Sequence, residues 1–323
     1  MNIGAPWPDR DAAWPRVLVM QTKLHRWAKG DPDRRFDDLY NLVYDPYFLA
    51  AAWDRVLGNK GARTAGIDGI APRSITFRAG DMLADIQHQL KSREFIPVQV
   101  RQKAIPKVSG KIRHLGIPTT ADRIVQAALK LVLEPIFEAD FKPSSYGLRP
   151  RRRAQDTIAE IHFLGTPTRN YEWVFEADIK ACFDEIDHTA LMDRVRRRIG
   201  DKRVLKLIKQ FLRAGVLTED GSSKETITGN PQGGILSPLL ANIALSVLDD
   251  HFAAKWDVLG PYGTRNKHRR NGVATTKSSA TRTTSWSWSM ASAPMPTHCG
   301  TRSARFSLRW VCACRWRRRR SFT

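Results

Sequence analysis

Trp173-Val174-Phe175-Glu176-Ala177-Asp178-Ile179-Lys180-Ala181-Cys182-Phe183-Asp184 is the stretch on which the fold turns. Apart from two acids, residues 173–179 are apolar or β-prone, which reads as a strand ending at Asp178. A carboxylate at a strand end, followed by a tight turn, can point into a cleft. A hard cation such as Mg²⁺ prefers oxygen ligands of this kind, and a pair of such ions activates a hydroxyl nucleophile while neutralising a leaving phosphate group. Phe183 is then placed to pack under a nucleotide sugar. The competing reading makes Asp178 the cap of the next helix and Phe183 a core residue. The stretch alone leaves both open.

Around this strand, helices alternate with a few short strands. Residues 36–57 read as a helix, with Phe36, Leu39, Leu42, Val43, Leu49, Ala52 and Val56 roughly on one face. Residues 81–92 look helical, and residues 121–138 form a strongly apolar helix. Residues 189–214 are one or two amphipathic helices, and the mostly apolar residues 235–250 a buried one. Ala65-Gly66-Ile67-Asp68-Gly69 is a turn cluster. Val98 to Ile105 and Lys111 to Ile117 are strands joined at Ser109-Gly110, a hairpin with Lys107, Lys111 and Arg113 at its tip. This mixed order is that of an α+β protein.

Three further clusters bear on function. Cations on a hairpin tip, as at Lys107 and Arg113, suit a triphosphate, although a solvated charged turn has the same composition. In Gly229-Asn230-Pro231-Gln232-Gly233-Gly234 the glycines let backbone approach a ligand and Gln232 offers both donor and acceptor, although a plain loop before a buried helix reads alike. In Ser145-Tyr146-Gly147-Leu148-Arg149-Pro150-Arg151-Arg152-Arg153, four arginines beside an aromatic suit a nucleic-acid backbone and a stacked base. A surface charge run is the alternative.

The chain has 323 residues, 42% of them hydrophobic, which excludes a wholly disordered protein. Its formal net charge of +21 implies an anionic partner, most often nucleic acid. No run approaches 18 uncharged apolar residues, so no transmembrane helix and no membrane partner are expected. Arg10, Asp11 and Arg16 interrupt any apolar leader, and four cysteines are no disulfide framework, which together suggest a reducing cytoplasm. The charge is uneven. Residues 274–323 hold ten basic side chains and no acid, and no Asp or Glu follows Asp257.

In this order the clusters resemble the reverse transcriptase domain of group II intron-encoded proteins, over about Asp38 to Phe252. Gly66-Ile67-Asp68-Gly69 is similar to the family's early motif, and Ile105-Pro106-Lys107 through Gly116-Ile117-Pro118 to its fingers hairpin. Ser144-Ser145-Tyr146-Gly147-Leu148-Arg149-Pro150 resembles the segment usually reading FSYGFRP. Asp178 falls on the first catalytic metal-binding Asp, Phe183 on the aromatic sugar gate, and Pro231-Gln232-Gly233-Gly234 on the nucleotide-pocket turn. The resemblance implies a right-hand fold of fingers and palm, Mg²⁺-dependent DNA synthesis on an RNA template from a DNA primer, and binding of intron RNA as a maturase. Lys107, Arg113, Phe183, Gln232 and Gly233 would meet the nucleotide. Tyr146, Arg149, Arg151 and Arg152 would meet nucleic acid, and Asp178 the metal.

The family's next motif, Tyr-Ala-Asp-Asp, is absent. Reading the third base of each codon with the first two of the next restores it. Over Lys277 to Ser285 the shifted frame permits Ile-Val-Arg-Tyr-Ala-Asp-Asp-Phe, with the Asp-Asp codons spanning Arg282 to Thr284, about fifty residues after Pro231. Because Trp is only TGG and Met only ATG, Trp286-Ser287 and Trp288-Ser289 then give Val where Ser is TCN, and Met290-Ala291 gives Gly. Over Trp310 to Arg318 the same frame permits Gly-Leu-Arg-Leu-Ser-Val-Glu-Lys, which resembles the family's following block. His298, Cys299, Cys312 and Cys314 are poorly spaced for structural zinc. The expected organisation is an N-terminal extension over residues 1–35, fingers and an incomplete palm over 36–273, and a basic, irregular, out-of-frame tail over 274–323 with no thumb. The expected function is that of a group II intron-type RNA-directed DNA polymerase and maturase fragment, impaired as encoded. The alternatives are a non-catalytic RNA-binding remnant and a retron-type reverse transcriptase.

Overall fold

The computed structural model describes residues 7–106, 110, 112–166, 173–179, 182–226, 228–229, 233–271, 275, 277–278, 285–291 and 312–318. In chain order the described elements are α1 (Arg10–Gly30), α2 (Tyr40–Val43), α3 (Pro46–Gly58), α4 (Ala79–Ser92), β1 (Val100–Pro106), β2 (Ile112–Ile117), α5 (Thr120–Glu138), α6 (Ala154–Leu164), β3 (Trp173–Ile179), α7 (His188–Arg198), α8 (Lys202–Arg213), β4 (Val216–Leu217), β5 (Ser223–Lys224), α9 (Ser237–Val258), α10 (Tyr262–Arg270), β6 (Lys277–Ser278), β7 (Ser285–Ala291) and β8 (Cys312–Arg318). They divide into two units, residues 1–140 with 187–240, and residues 141–186 with 241–323.

The first unit is built on α5. Thr119 caps it, its hydroxyl accepting from the Asp122 amide at 3.1 Å. Ile124, Val125, Leu129, Leu131, Val132, Leu133 and Ile136 are all fully buried. At about 2 kcal/mol for each such side chain, this helix supplies much of the unit's hydrophobic stabilisation. α1 and α3 pack against it. α1 buries Ala13, Val17, Leu24 and Ala28, and Gln21 donates to the Leu131 carbonyl at 2.8 Å. Residues 1–35, expected as an extension, therefore contribute a core helix to this unit. The signal lay in the spacing of those four apolar residues, obscured by the charges between them.

The single helix expected over 36–57 is broken into α2 and α3. Pro46 disfavours helix at Asp45, whose side chain instead caps α3 by accepting from the Tyr47 amide at 2.9 Å. The hairpin forms as expected, with Arg101 opposite Ile117 and Pro106 opposite Ile112. β4 joins β1 in parallel and β5 follows, giving the order β2-β1-β4-β5. Glu219 holds the outer part of β1, accepting from the Ala104 amide at 3.1 Å.

The second unit carries an antiparallel sheet in the order β6-β7-β3-β8. β3 has the bounds expected from its sequence. The tail departs from expectation, because β7 and β8 flank β3 on both sides. Ser285-Trp286-Ser287-Trp288-Ser289-Met290 alternates polar and apolar residues, a period-2 pattern hidden inside a segment of strongly biased composition. α6 and α10 were not anticipated: α6 is short, and α10 is almost wholly polar. On α6, Leu164 is buried with Ile161 and Trp256 packed against it. From α9, Asn242 donates to the Gly147 carbonyl at 2.9 Å.

Candidate functional site

In the first unit, three of the segments singled out by sequence meet at the base of the β1–β2 hairpin. Gly233, at φ +121°, lies so close to the Gly116 carbonyl oxygen that a side chain there would collide with it. A Cβ on Gly234 would come 2.6 Å from Ser237 Oγ and 3.0 Å from Gln126 Oε1. A Cβ on Gly66 would lie 2.6 Å from the Thr119 Cα. Close approach of backbone thus requires glycine at 233 and 66, and at 234 the near atoms are the Ser237 and Gln126 side chains; glycine was the signal available from sequence.

The residues holding this junction were missed. Arg123 is buried, and its guanidinium donates to the carbonyls of Pro118 at 2.9 Å, Gly61 at 3.0 Å and Thr64 at 2.8 Å. Burial lowers its pKa, opposed by nearby Asp68. Gln126 Oε1 accepts from the Ile235 amide at 2.8 Å, fixing the residues after the turn. Asp122 accepts from the Thr119 hydroxyl at 2.8 Å, and burial pushes its carboxyl up to about 6. Asp122, Gln126 and Ser237 line a cavity of about 20 Å³ with Val100, Phe211 and Leu236, room for about one water. Within Thr-Ala-Asp-Arg-Ile-Val-Gln, residues 120–126, the apolar pattern of the helix carries no signal for these polar contacts, several of which reach distant backbone. Arg113 is exposed on β2 opposite Ile105. Lys107 and Gln232 lie outside the described residues.

In the second unit, Asp178 stands near the end of the central strand β3. Its Cα partners are Ser285 on β7 and Ala313 on β8. Phe183 is half-buried in the turn that follows, beside buried Cys182. Tyr146 donates its hydroxyl to Glu160 at 2.9 Å, and burial together with that bond raises its pKa to about 12. Arg152 lies 5.1 Å over the Tyr146 ring, and Arg151 is exposed at φ +58°. Arg149, expected at nucleic acid, is placed differently from its neighbours. It is buried over the Phe141 ring and donates to the carbonyls of Lys142 at 2.9 Å and Ser145 at 2.7 Å. Its role is to close the turn that presents Tyr146.

Residues 105–268 match the family described as reverse transcriptase (RNA-dependent DNA polymerase). The chain belongs to the reverse transcriptase family. Its relatives place it among the group II intron-encoded members of that family. It is 39% identical over 243 residues to Protein YkfC of Escherichia coli, covering 74% of this chain and 63% of that protein. It is 39% identical to the group II intron-encoded protein LtrA of Lactococcus lactis, covering 73% of this chain and 38% of LtrA. It is 38% identical over 251 residues to an uncharacterized 91 kDa protein in a cob intron of Schizosaccharomyces pombe, covering 76% of this chain and 30% of that protein. The chain thus spans between about a third and two thirds of the length of these relatives. Within the reverse transcriptase match lie the hairpin from Ile105 onward, the Tyr146 turn, β3 and the Gly233 turn.

Reverse transcriptases generally use divalent metal ions. The donors here do not fit a pair of them. Asp178 offers one carboxylate, its strand partners Ser285 and Ala313 offer none, and no acid follows Asp257. Among the described residues no group of three His, Cys, Asp or Glu side chains is placed to hold a metal. No described helix is long and apolar enough to cross a membrane.

Proposed function

We propose that the chain is an RNA-directed DNA polymerase and maturase fragment of the group II intron type, acting in the cytoplasm on intron RNA and a DNA primer, and impaired in polymerisation as it stands. The observation that carries this reading is the reverse transcriptase match over residues 105–268, with Asp178 near the end of the central strand of its sheet. Relatives named as intron proteins favour this type over a retron-type enzyme.

In this reading Lys107 and Arg113 meet the triphosphate, and Gln232 and Gly233 form the nucleotide turn. Phe183 packs against the sugar, and Tyr146, Arg151 and Arg152 face nucleic acid. Arg123 and Gln126 are positioning residues that hold the turn against the hairpin. Asp178 is the carboxylate for Mg²⁺, the ion expected from the resemblance. The impairment follows from the donor set. The match ends at His268, and the shifted frame would place its two Asp codons at Arg282 to Thr284, directly before Ser285, the strand partner of Asp178. Losing a principal metal ligand removes several kcal/mol of transition-state stabilisation, about 10²–10⁴-fold in rate.

Primer extension on an RNA template with Mg²⁺ tests both parts. The chain as it stands is expected to give no more product than Asp178→Ala. A gene shifted by one base near codon 277 is expected to give product. Synthesis by the unshifted chain that Asp178→Ala abolishes overturns the impairment, and failure of the shifted form overturns the frame reading. A second reading, a non-catalytic RNA-binding remnant, is favoured by the same strand partners and is met by RNA binding without extension.

A further inference from the structure

The solvent face of α8 carries a row of cations that the site described above does not use. Lys202, Lys206, Lys209 and Arg213 are all exposed, at spacings of four, three and four residues, which puts them on one stripe of the helix. With a rise of 1.5 Å per residue, the stripe runs about 16 Å. The opposite face is firmly seated: Val204, Leu207, Ile208, Phe211 and Leu212 are buried, and Phe211 meets Phe95 with ring centroids 6.3 Å apart. The stripe is therefore a fixed array on a packed helix.

Among the described residues nothing pairs with it. α8 contains no acidic residue. Asp201, which precedes it, is turned inward and accepts from the amides of Leu39 at 3.0 Å and Tyr40 at 2.9 Å, and from the Arg203 guanidinium. Arg203 is drawn off the stripe by this bond and by Asp38 at 3.1 Å. Among the described residues, the side chains of Lys202, Lys206, Lys209 and Arg213 make no ion pair or hydrogen bond. Four like charges in a line repel one another modestly and present a positive field that a polyanion would neutralise.

We infer that this face of α8 binds the phosphate backbone of double-helical RNA, independently of sequence. The composition of the face favours a nucleic acid over an acidic protein segment. The exposed positions on α8 are all cationic and include no apolar anchor, whereas a protein interface is centred on buried apolar or aromatic side chains. Phosphate contacts need charge and regular spacing alone. The choice of RNA over DNA rests on the function proposed above; the phosphate chemistry does not.

The test is binding of the full-length chain to a 20-base-pair RNA hairpin by fluorescence anisotropy over a range of salt. Lys202→Gln/Lys206→Gln/Lys209→Gln/Arg213→Gln is compared with a charge-matched variant elsewhere in the same unit, Lys23→Gln/Lys60→Gln/Arg63→Gln/Arg73→Gln. The melting temperature of each reports folding. Each phosphate contact contributes about 0.9 to the slope of log K against log salt. The α8 variant is expected to lose about 3 from that slope and at least about tenfold in affinity near 0.1 M salt, with the control losing far less. Equal losses in both variants overturn the inference, since net charge alone would then act. So does unchanged binding by the α8 variant. Displacement of the RNA by poly-glutamate at equal charge concentration also overturns it. Wild-type chain that does not bind the hairpin overturns the inference and the RNA-binding reading together, whereas wild-type binding that the α8 variant retains in full overturns only the former. The single variant Lys206→Glu, read the same way, guards against a fold defect in the quadruple one.

Discussion

The Gly233 backbone rests on the carbonyl oxygen of Gly116, which joins the turn before α9 to the base of the β1–β2 hairpin. Two motifs far apart in sequence thereby become one wall of the first unit. Gly233 has no room for a side chain at the contact, and it adopts a backbone conformation that L-residues rarely occupy. The turn cannot slide along the strand without losing this fit.

Gly233→Ala should therefore destabilise the first unit by about 2 kcal/mol or more, through both strain and collision with main chain that cannot yield. Gly69→Ala is the control. Gly69 also has a positive φ of 70°, but nothing lies within 4 Å of a Cβ there, so only the conformational cost of about 1 kcal/mol applies. Urea denaturation of the two variants measures the difference. Equal destabilisation would show that the contact with Gly116 is not tight.

Arg123 is the next point of stress. Its guanidinium donates to the carbonyls of Pro118, Gly61 and Thr64 and so ties three backbone segments together. Arg123→Met keeps much of the packing but strands those acceptors, and a cost of about 3 kcal/mol is expected. Proteolysis should then cut first between residues 59 and 70, in the loop that the side chain ties down. Resistance there equal to wild type would show that the loop is held by something else.

The contrast between Arg123 and α5 shows how much of the fold was legible. The apolar run of α5, the alternation of the hairpin and the strand ending at Asp178 were readable because each is a local periodicity. Arg123 and Gln126 carry no such signal, because their partners are backbone carbonyls or amides that only the folded chain brings near. A buried arginine and an RNA-binding arginine have the same letter. The break at Asp45-Pro46 was legible in the Pro and the Asp, but the apolar stripe across it dominated the reading. β7 is the opposite case, a real alternation over Ser285 to Met290 inside a tail whose biased composition reads as irregular.

Asp122 gives the stability of the first unit a pH dependence. Its carboxyl is raised to about 6 by burial, against hydrogen bonds from Thr119 and the Val98 backbone that lower it. An unfolded Asp titrates near about 3.9. Between these values the folded chain holds a proton that the unfolded chain has released. The contribution is fully present below about pH 4 and is lost as pH rises through about 6. A gap of about two pKa units corresponds to about 2–3 kcal/mol. Asp122→Asn cannot ionise, so the stability of wild type relative to this variant should fall by on the order of 2 kcal/mol between pH 4 and pH 7. Parallel curves would show that Asp122 titrates normally.

Arg149 and Arg152 sit three residues apart in one arginine-rich run, yet the structure separates their roles. Arg149 is buried, spans the Lys142 and Ser145 carbonyls and lies over Phe141, so it holds the turn closed from inside. Arg152 is half-exposed over the Tyr146 ring, and Tyr146 is itself held by Glu160, so the pair presents a cation on an aromatic platform. Arg149→Gln leaves buried carbonyls poorly served and should lower stability by about 2–4 kcal/mol, with RNA affinity falling only as far as unfolding requires. Arg152→Gln should change stability by less than about 1 kcal/mol and reduce the salt dependence of RNA binding by about one contact, close to 0.9 in slope. Melting and salt titration of the two variants on the same RNA hairpin decide the matter. If Arg149→Gln melts with wild type and loses RNA affinity, the buried arginine is a ligand contact after all. If Arg152→Gln keeps the full salt slope, the Tyr146 platform does not face nucleic acid.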